Sequence, residues 1–430
     1  MTAADPSGLR PWFGQPRGLT VLFLTNMWEQ FSYYGMRALL VYYMTKSLLL
    51  GQGTASLIYG TYTACAYFTP IVGGVIADRF LGKRRAVVIG ASIMAAGHFM
   101  MTFDALFYPA LATIAIGNGL FLPSLPSQIN DLYTADDPRR AWAYNVYYVG
   151  INIGGFLAPL ICGTLGEVYG WHYGFGAAGI GMAAGLLIYL WGGKYLPPEP
   201  VRAVARAAPR GAGFDRATIL VLVAVALAVT VFRGAYEQIG NTVALWADTG
   251  VDRHLGGATI PMTWFQSLNP LLVMVMTPAL LAAWRGRAGG GRASDATRRM
   301  AVGALTVAGA YLLLAGIAAG AGDGRAGWPW LVAFFAVYTL GELFILPTGL
   351  GLFARLAPPG FGATTVAAWY LTIFSGSLAA GVVGTLWTRM EHAAFFGMLA
   401  GIAVVAAALL GLTTPLLTRA EQMRKCDKTG

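Results

Sequence analysis

The sequence predicts an all-α membrane protein in which twelve transmembrane helices form two bundles of six. Hydrophobic residues make up 57% of the 430 positions and charged residues only 11%, whereas soluble domains carry about 25% charged residues. Long apolar runs recur along the chain, and the basic residues cluster between them. A soluble fold cannot bury this much apolar surface, but a lipid bilayer can.

Twelve apolar runs reach the length of about 20 residues that a transmembrane helix needs. The first six predicted spans are 18–45, 54–79, 84–103, 106–133, 141–168 and 172–196. The second six are 217–247, 259–284, 299–320, 329–357, 360–388 and 393–418.

The basic residues predict the orientation of these spans. With both termini in the cytoplasm, 23 of the 29 Lys and Arg residues fall in cytoplasmic segments or the adjoining helix ends, and four fall outside. The other two, Arg37 and Arg233, lie inside predicted helices. This segregation follows the positive-inside rule and predicts a multi-pass protein of the cell (inner) membrane. The net charge of +10 fits an anionic lipid surface rather than nucleic acid, because the cations form no single face or tail.

The predicted domains follow from the same count. Residues 1–17 form a cytoplasmic N-terminus without the features of a cleavable signal peptide. Residues 18–196 and 217–418 form the two six-helix bundles, and 419–430 form a cytoplasmic tail. The Pro-rich basic segment 197–216 predicts a cytoplasmic linker, too short for an extra helix pair between the bundles. Two halves of equal span number predict a substrate site between them near the bilayer midplane.

Five charged residues lie at predicted membrane depth, where a charge is costly and therefore a functional hypothesis. They are Glu29, Arg37, Arg233, Glu237 and Glu342. One interpretation is that they pair and hold helices together. The other, which their spread over both halves favours, is that they line a central cavity and that a carboxylate takes up and releases a transported proton. A lone His98 is interpreted as a packing residue.

The turn between the second and third spans reads Gly74-Val-Ile-Ala-Asp-Arg-Phe-Leu-Gly-Lys-Arg-Arg85. Asp78 could pair with Arg79, Arg84 or a neighbouring helix terminus and so close the cytoplasmic side. The alternative is that these are loop charges that follow the positive-inside rule.

This turn, GGVIADRFLGKRR, resembles the cytoplasmic signature of the major facilitator superfamily. The first helix, NMWEQFSYYGMRALLVYYM, resembles that of the proton-dependent oligopeptide transporter (POT/PTR) family. Further motifs of that family are matched in order by GNGLFLPSLPSQINDLY, VYYVGINIGGFLAPLICG, GAYEQIGNTVALWAD, WFQSLNP and LGELFILPTGL. The resemblance implies a secondary active transporter that imports di- and tripeptides by proton symport and alternating access, without a metal or other cofactor and as a monomer.

The resemblance also implies roles for individual residues. Arg37 would lie near the peptide carboxyl end and can also pair with Glu237. The amino end would be held by Asn152, Asn269 and Glu342. The remaining substrate contacts would be aromatic, from Tyr33, Tyr34, Tyr67 and Trp369. These roles agree with chemistry, because a zwitterionic peptide needs a cation at one end and an anion at the other.

Four positions depart from the family pattern. Asn26 and Gln30 replace a glutamate and an arginine of the first helix, Leu122 replaces a lysine of the fourth, and Arg233 stands where an aromatic residue is usual. Losing both members of a buried pair can be neutral, which fits the change in the first helix. Because Arg233 and Glu237 share a helix face, we hypothesise that Arg233 enters the cavity and partly replaces the lysine.

Two alternatives remain open at this point. The same fold could carry a non-peptide solute, or act as a proton-independent facilitator or exchanger. A membrane receptor or an integral membrane enzyme is the more remote alternative. Against an enzyme, the sequence offers no nucleophile–base pair, metal-ligand cluster or phosphate loop, so no catalytic or metal-binding residue is predicted.

Overall fold

The computed structural model describes residues 14–134, 137–198, 214, 216–285, 293–322, 324–358 and 361–429. Most of the predicted N-terminal segment and most of the predicted linker therefore lie outside the described residues. Within the described ranges nearly every residue belongs to a helix, as a chain without water to satisfy its backbone requires.

Seven α-helices precede the linker. They are α1 (Arg17–Lys46), α2 (Gln52–Ile76), α3 (Lys83–Met100), α4 (Phe107–Ser127), α5 (Arg139–Ala158), α6 (Thr164–Val168) and α7 (Trp171–Gly192). A π-helical segment, Ala77–Leu81, continues α2, and another, Pro159–Gly163, joins α5 to α6. Short 3₁₀ turns lie at Asp104–Leu106, Asn130–Leu132 and Gly193–Tyr195.

Seven more α-helices follow the linker. They are α8 (Arg216–Tyr236), α9 (Thr242–Thr249), α10 (Leu268–Arg285), α11 (Ala293–Ala321), α12 (Trp328–Leu356), α13 (Gly362–Gly384) and α14 (His392–Thr429). The 3₁₀ segment Glu237–Gly240 joins α8 to α9, Met262–Ser267 leads into α10, and Trp387–Arg389 follows α13. The helix α14 continues through the segment that the sequence predicts as a tail.

Four two-residue strands form small connections between the helices. β1 (Val251–Asp252) pairs in parallel with β4 (Ala326–Gly327). β2 (His254–Leu255) pairs antiparallel with β3 (Ala258–Thr259). These strands lie in the loops after α9 and α11, so they leave the helical architecture unchanged.

Ten helices in the described part of the chain are long and apolar enough to cross a membrane. The predicted first and third spans, α1 and α3, are not among them. α1 carries Glu29 and Arg37 among other polar residues, and α3 opens on the three cations of 83–85. The count of twelve spans, its division into six plus six and the absence of an extra helix pair therefore stay predictions.

The helices before the linker form two apolar clusters, and those after it form a third, which also takes in Val41 and Tyr42 of α1. The two halves meet along two seams. α1 packs against α5 and α7 on one side of the molecule, and α11 packs against α12 and α14 on the other. The seams are α2 against α13 and α5 against α10. At the first seam a Cβ on Gly60 would lie 2.5 Å from the Cα of Gly381. The two backbones can approach this closely only because both residues are glycine.

An interruption of regular helix falls where α1 faces the second half. The 3₁₀ segment between α8 and α9 begins at Glu237 and ends at Gly240. A Cβ on Gly240 would overlap the hydroxyl of Tyr59 and lie 3.3 Å from a guanidinium nitrogen of Arg37. The glycine thus lets the broken helix approach the polar face of α1, and such breaks often occur at functional sites.

Candidate functional site

Glu237, at the end of α8, is the centre of a buried ion network. Its Oε2 lies 2.6 Å from Nη2 of Arg37 on α1, and its Oε1 contacts Nη2 of Arg233. The side chains of Arg37, Arg233 and Glu237 are 11%, 3% and 3% exposed. The Nε of Arg37 also donates a 2.7 Å hydrogen bond to the Tyr59 hydroxyl. This network joins α1 and α2 to the end of α8.

Glu342, on α12, forms a second charged group. It accepts a 2.8 Å hydrogen bond from the Tyr236 hydroxyl and a 2.5 Å hydrogen bond from Nδ2 of Asn269. Asn269 also donates to the Thr339 hydroxyl at 3.1 Å. Two donors fix the orientation of the carboxylate and leave it as a negative pole in the second half.

A small cavity of about 50 Å³ lies between these two groups. Arg37 lines it on one side and Glu342 on another, so it has a cationic and an anionic wall. Its other walls come from Tyr34, Pro159, Tyr236, Ile239, Gly240, Gln266, Asn269, Pro270 and Phe335. Ligand pockets typically enclose about 300–1,000 Å³, so a ligand requires these walls to move or the cavity to join neighbouring space.

The remaining predicted substrate contacts lie outside this cavity wall. Tyr67 on α2 stacks on Tyr370 of α13, with ring centroids 6.5 Å apart. Tyr33 is buried, and its ring packs edge-on against Tyr34. Asn152 donates to the Tyr148 carbonyl of its own helix at 2.9 Å. Trp369 packs against Phe353, with ring centroids 5.2 Å apart.

The hypothesis that Arg233 enters the substrate cavity stays a prediction, because the structure shows only that Arg233 lies outside the wall of this one cavity. Arg233 is only 2% exposed and is not among the residues that line the cavity. Its guanidinium carbon lies 5.4 Å from the ring centroid of Tyr67 and 5.2 Å from that of Tyr236. A buried guanidinium is stabilised by the nearest carboxylate, which is Glu237 one helical turn away. The i, i+4 spacing was sufficient to predict that Arg233 and Glu237 pair. It did not indicate whether the pair faces this cavity.

One end of the molecule is sealed by polar contacts between the two halves. Lys46 pairs with Asp248 at 2.6 Å, and Nε2 of Gln52 donates to the Gly384 carbonyl at 2.9 Å. The carboxylate of Glu167 accepts hydrogen bonds from the backbone amides of Met262 and Thr263, at 3.0 and 2.9 Å. An acidic side chain at such a helix start is favourable. We call this region the sealed end.

At the opposite end, polar contacts join elements of the same half. Lys83 pairs with Asp131 at 2.7 Å, and Arg84 donates to the carbonyl of Gly193 at 3.1 Å. Asp78 and Arg79 are exposed, and among the described residues no ion pair is formed by Asp78. Of the partners considered for Asp78, Arg84 instead contacts the 3₁₀ segment that follows α7, and the role of Asp78 in closing this end stays a prediction.

Comparisons with known proteins identify the family of this chain. Residues 84–204 and 212–407 match the POT family, PTR2. The chain belongs to the POT family. It is 32% identical to the uncharacterized transporter YclF of Bacillus subtilis (strain 168), over 95% of this chain and 96% of YclF. It is 30% identical to the di-/tripeptide transporter of Lactococcus lactis subsp. cremoris, over 93% and 95% of the two chains.

The likeness to this family extends to three dimensions. The crystal structure of the peptide transporter POT in complex with sulfate superposes with a TM-score of 0.87 at 29% identity, covering 95% of this chain and 96% of that one. Membership in the POT family makes this chain a multi-pass membrane transporter and not an enzyme.

The positions that depart from the POT pattern in α1 form a buried polar cluster. Nε2 of Gln30 donates to Oε2 of Glu29 at 2.7 Å, and Nδ2 of Asn26 donates to the Tyr147 carbonyl of α5 at 3.2 Å. Glu29 is 1% exposed. The amides thus bond within the first half, whereas Leu122 is a partly buried residue of α4.

Sequence reasoning missed two polar residues of the cavity wall. Tyr236 orients Glu342, and Gln266 donates to the Ala38 carbonyl of α1 at 3.1 Å. Tyr236 directly precedes Glu237, and Gln266 lies three residues before Asn269, so proximity to predicted site residues was an available signal. Nothing in their spacing indicated that both would line the same cavity as Arg37.

Proposed function

We propose that this POT-family protein imports di- and tripeptides, with inward proton flow driving uptake through a modified set of coupling residues. The di-/tripeptide transporter of Lactococcus lactis supports a peptide substrate. Glu29 and Glu342 are the candidate proton-coupling carboxylates, since each is held by neutral donors. Gating would involve Arg37 with Glu237 and the charges at Asp78, Arg79 and Arg84.

The observation that carries this proposal is the polarity of the cavity. Arg37 provides a cation for a peptide carboxylate, while Glu342, oriented by Asn269, provides an anion for a peptide ammonium group. Charge-assisted hydrogen bonds of this kind are each worth about 1.5–3 kcal/mol. The aromatic and apolar walls, including Tyr34 and Phe335, suit side chains of varied size.

We propose for this transporter the twelve-helix architecture that the sequence predicts. Twelve helices, with α1 and α3 as the first and third spans, form bundles at 18–196 and 217–418 on either side of a cytoplasmic linker. The protein lies in the inner membrane of the cell with both termini in the cytoplasm, and it works as a monomer. The sealed end then faces outward, so the structure corresponds to a state of an alternating-access cycle in which the outer end is closed.

Uptake of labelled dialanine into proteoliposomes, with and without an inward proton gradient, tests this function. We expect gradient-stimulated uptake that unlabelled dialanine competes away. Glu342→Gln should lower uptake by about tenfold or more, since about 1.5–3 kcal/mol of binding is lost, whereas Glu391→Gln at an exposed position should leave it unchanged. Gradient-dependent uptake that survives Glu342→Gln would contradict the assigned binding role.

A second candidate function is favoured by a specific observation. Leu122 and Gln30 are neutral, and Glu237 already has two cationic partners. A transporter with these features could act as a facilitator or exchanger, or carry a non-peptide solute. Dialanine uptake without any response to the gradient would support the facilitator or exchanger, and failure of dialanine to compete with a transported solute would support the other substrate.

A further inference from the structure

The Glu237 carboxylate has one guanidinium partner on each oxygen. Arg37 contacts Oε2 at 2.6 Å from α1, in the first half, and Arg233 contacts Oε1 from one turn earlier in α8. Because these three side chains are almost fully buried in this arrangement, little water reaches the carboxylate to replace a partner at the moment the bond to Arg37 breaks. Leaving such a charge unpaired is strongly destabilising.

The two ion pairs respond differently when the halves separate. The bond to Arg37 crosses from one half to the other and must break as α1 leaves α8. The bond to Arg233 is an i, i+4 contact within one helix. Arg233 therefore moves with Glu237 as a single unit, and the carboxylate keeps a counter-charge in both arrangements.

The position of Arg233 is itself fixed by its own half and by α2. Its guanidinium lies over the rings of Tyr67 and Tyr236, at distances typical of cation–π contacts. A Cβ on Gly376 of α13 would lie 2.5 Å from the Arg233 Cβ. The absence of a side chain at Gly376 gives the arginine stem its space.

The other groups that face Glu237 cannot take this role. The other carboxyl group that interacts with Glu237 is Glu342 on α12, which cannot provide a positive charge. The titratable groups around it on the packed helices are tyrosines, namely Tyr33, Tyr59, Tyr236, Tyr311 and Tyr338. Among these described neighbours the cations are Arg37 and Arg233, so after Arg37 leaves, Arg233 is what remains.

We propose that Arg233 is a permanent counter-ion that lets Glu237 release Arg37 without taking up a proton. The sealed end can then open at a rate independent of pH, and the freed Arg37 becomes available to a substrate carboxylate. This inference rests on the proposed transport cycle only in assuming that the halves separate at the sealed end. Proton coupling, where it occurs, is assigned to Glu29 or Glu342 and not to Glu237.

The test measures opening directly, without a substrate. In intact cells that express the full-length protein with Cys65, Cys162 and Cys426 replaced by alanine, a membrane-impermeant maleimide labels a cysteine introduced by Ile239→Cys, in the cavity wall. Leu49→Cys, 79% exposed beside the sealed end, reports whether that end faces the reagent. Dividing the first labelling rate by the second removes the pH dependence of thiol chemistry.

We expect the labelling ratio to change by less than about twofold between about pH 6 and about pH 8. In Arg233→Leu the ratio should fall by about tenfold per pH unit as the pH rises, as for a step that takes up one proton. Arg233→Leu with Glu237→Gln should restore the flat profile, because the neutral amide needs no counter-charge. Arg355→Leu, which removes an exposed arginine, is the matched control and should stay flat.

Three outcomes would overturn the inference. The first is a labelling ratio that depends steeply on pH in the parent protein, and the second is a pH-independent ratio in Arg233→Leu. The third is no labelling of Ile239→Cys at any pH in the parent protein, which would mean that Arg233 holds the sealed end closed. If Arg233→Leu does not reach the membrane, the comparison of Arg233→Lys (flat) with Arg233→Gln (steep) decides instead. Dialanine uptake is measured in parallel. A pH-independent labelling ratio in the parent protein without dialanine uptake refutes the peptide function alone. Dialanine uptake with a steeply pH-dependent ratio in the parent protein refutes the inference alone.

Discussion

Two buried carboxylates, Glu29 on α1 and Glu237 after α8, are stabilised in opposite ways. Glu29 accepts from the neutral amide of Gln30, its neighbour on the same helix. Glu237 holds two guanidinium groups, and one of them, Arg37, belongs to the other half of the molecule. The hydrogen bond of Glu29 lies within one helix and is kept when the two halves separate. The bond between Glu237 and Arg37 crosses the halves and breaks when they separate.

The two sites also differ in net charge. In α1 the residues beside Glu29 are the neutral amides Asn26 and Gln30, and among the described residues Glu29 forms no ion pair. In α8 the residue one turn before Glu237 is the cation Arg233. A carboxylate with a neutral partner can take up a proton without leaving an opposite charge unpaired. Neutralising Glu237, in contrast, would leave two guanidinium groups without a counter-charge in an apolar interior.

The largest expected effect is on stability when Glu237 is removed. Glu237→Ala leaves Arg37 and Arg233 buried without a carboxylate, and should lower the free energy of unfolding by about 3–5 kcal/mol. Denaturant unfolding in detergent micelles measures this, with the exposed Glu391→Ala as a control that should change stability by less than about 0.5 kcal/mol. A loss as small as that of the control would show that the triad is not a stabilising unit.

The next effect concerns the α1 cluster. Gln30→Ala removes the donor to Glu29 and leaves a buried carboxyl group without it, which should cost about 1–3 kcal/mol. Glu29→Gln keeps an acceptor for Gln30 without the charge and should cost less than that. The same unfolding measurement checks both variants, and a loss in Gln30→Ala larger than in Glu237→Ala would reverse the comparison between the two sites.

A smaller effect is expected at the sealed end. The hydroxyl of Ser56 on α2 donates to Oδ1 of Asn241 at 3.0 Å. Ser56→Ala removes about 0.5–1.5 kcal/mol from the closed arrangement, and should raise the labelling ratio of Ile239→Cys by about two- to tenfold. Ser92→Ala removes a hydroxyl that donates to the Val88 carbonyl of its own helix, and should leave the ratio unchanged. Equal effects of the two variants would contradict a seal at Ser56.

The smallest effect is expected at the surface pair before α5. Hydrogen bonds from the Arg139 side chain hold the pKa of Asp137 below its usual value. Because the folded-state pKa is depressed, the stabilisation is present above the ordinary pKa of about 4 and is lost as the pH falls through the depressed value. Asp137→Asn should therefore lower the unfolding midpoint slightly near neutral pH and not at acid pH. A difference that persists or grows at acid pH would contradict this assignment.

The positions of the helices could be read from the sequence because hydropathy is a local property. The predicted run 18–45 corresponds to α1 at Arg17–Lys46, and 329–357 corresponds to α12 at Trp328–Leu356. The breaks at Pro159–Gly163 and Glu237–Gly240 were not predicted. An interrupted helix keeps the same apolar composition as a regular one, so hydropathy contains no signal for the break, although Pro159 was a local signal for the first of them.

The candidate site could be predicted in part. Resemblance to the family placed Tyr34, Arg37, Asn269 and Glu342 in one site, and the structure brings these four to one cavity. It did not distinguish them from Trp369, which packs against Phe353 instead. Whether a side chain faces a cavity or a neighbouring helix depends on the rotation and break of its own helix, which a motif does not contain.

By itself the sequence determined that this chain forms apolar helices and buries Glu29, Arg37, Arg233, Glu237 and Glu342 among them. Only the tertiary structure decided how these charges are distributed. Arg37 and Glu237 are 200 residues apart, and they meet because the 3₁₀ break and Gly240 let α8 approach α1. The reason is physical: hydropathy depends on each residue and its near neighbours, whereas an ion pair depends on a distance between helices that the whole fold sets.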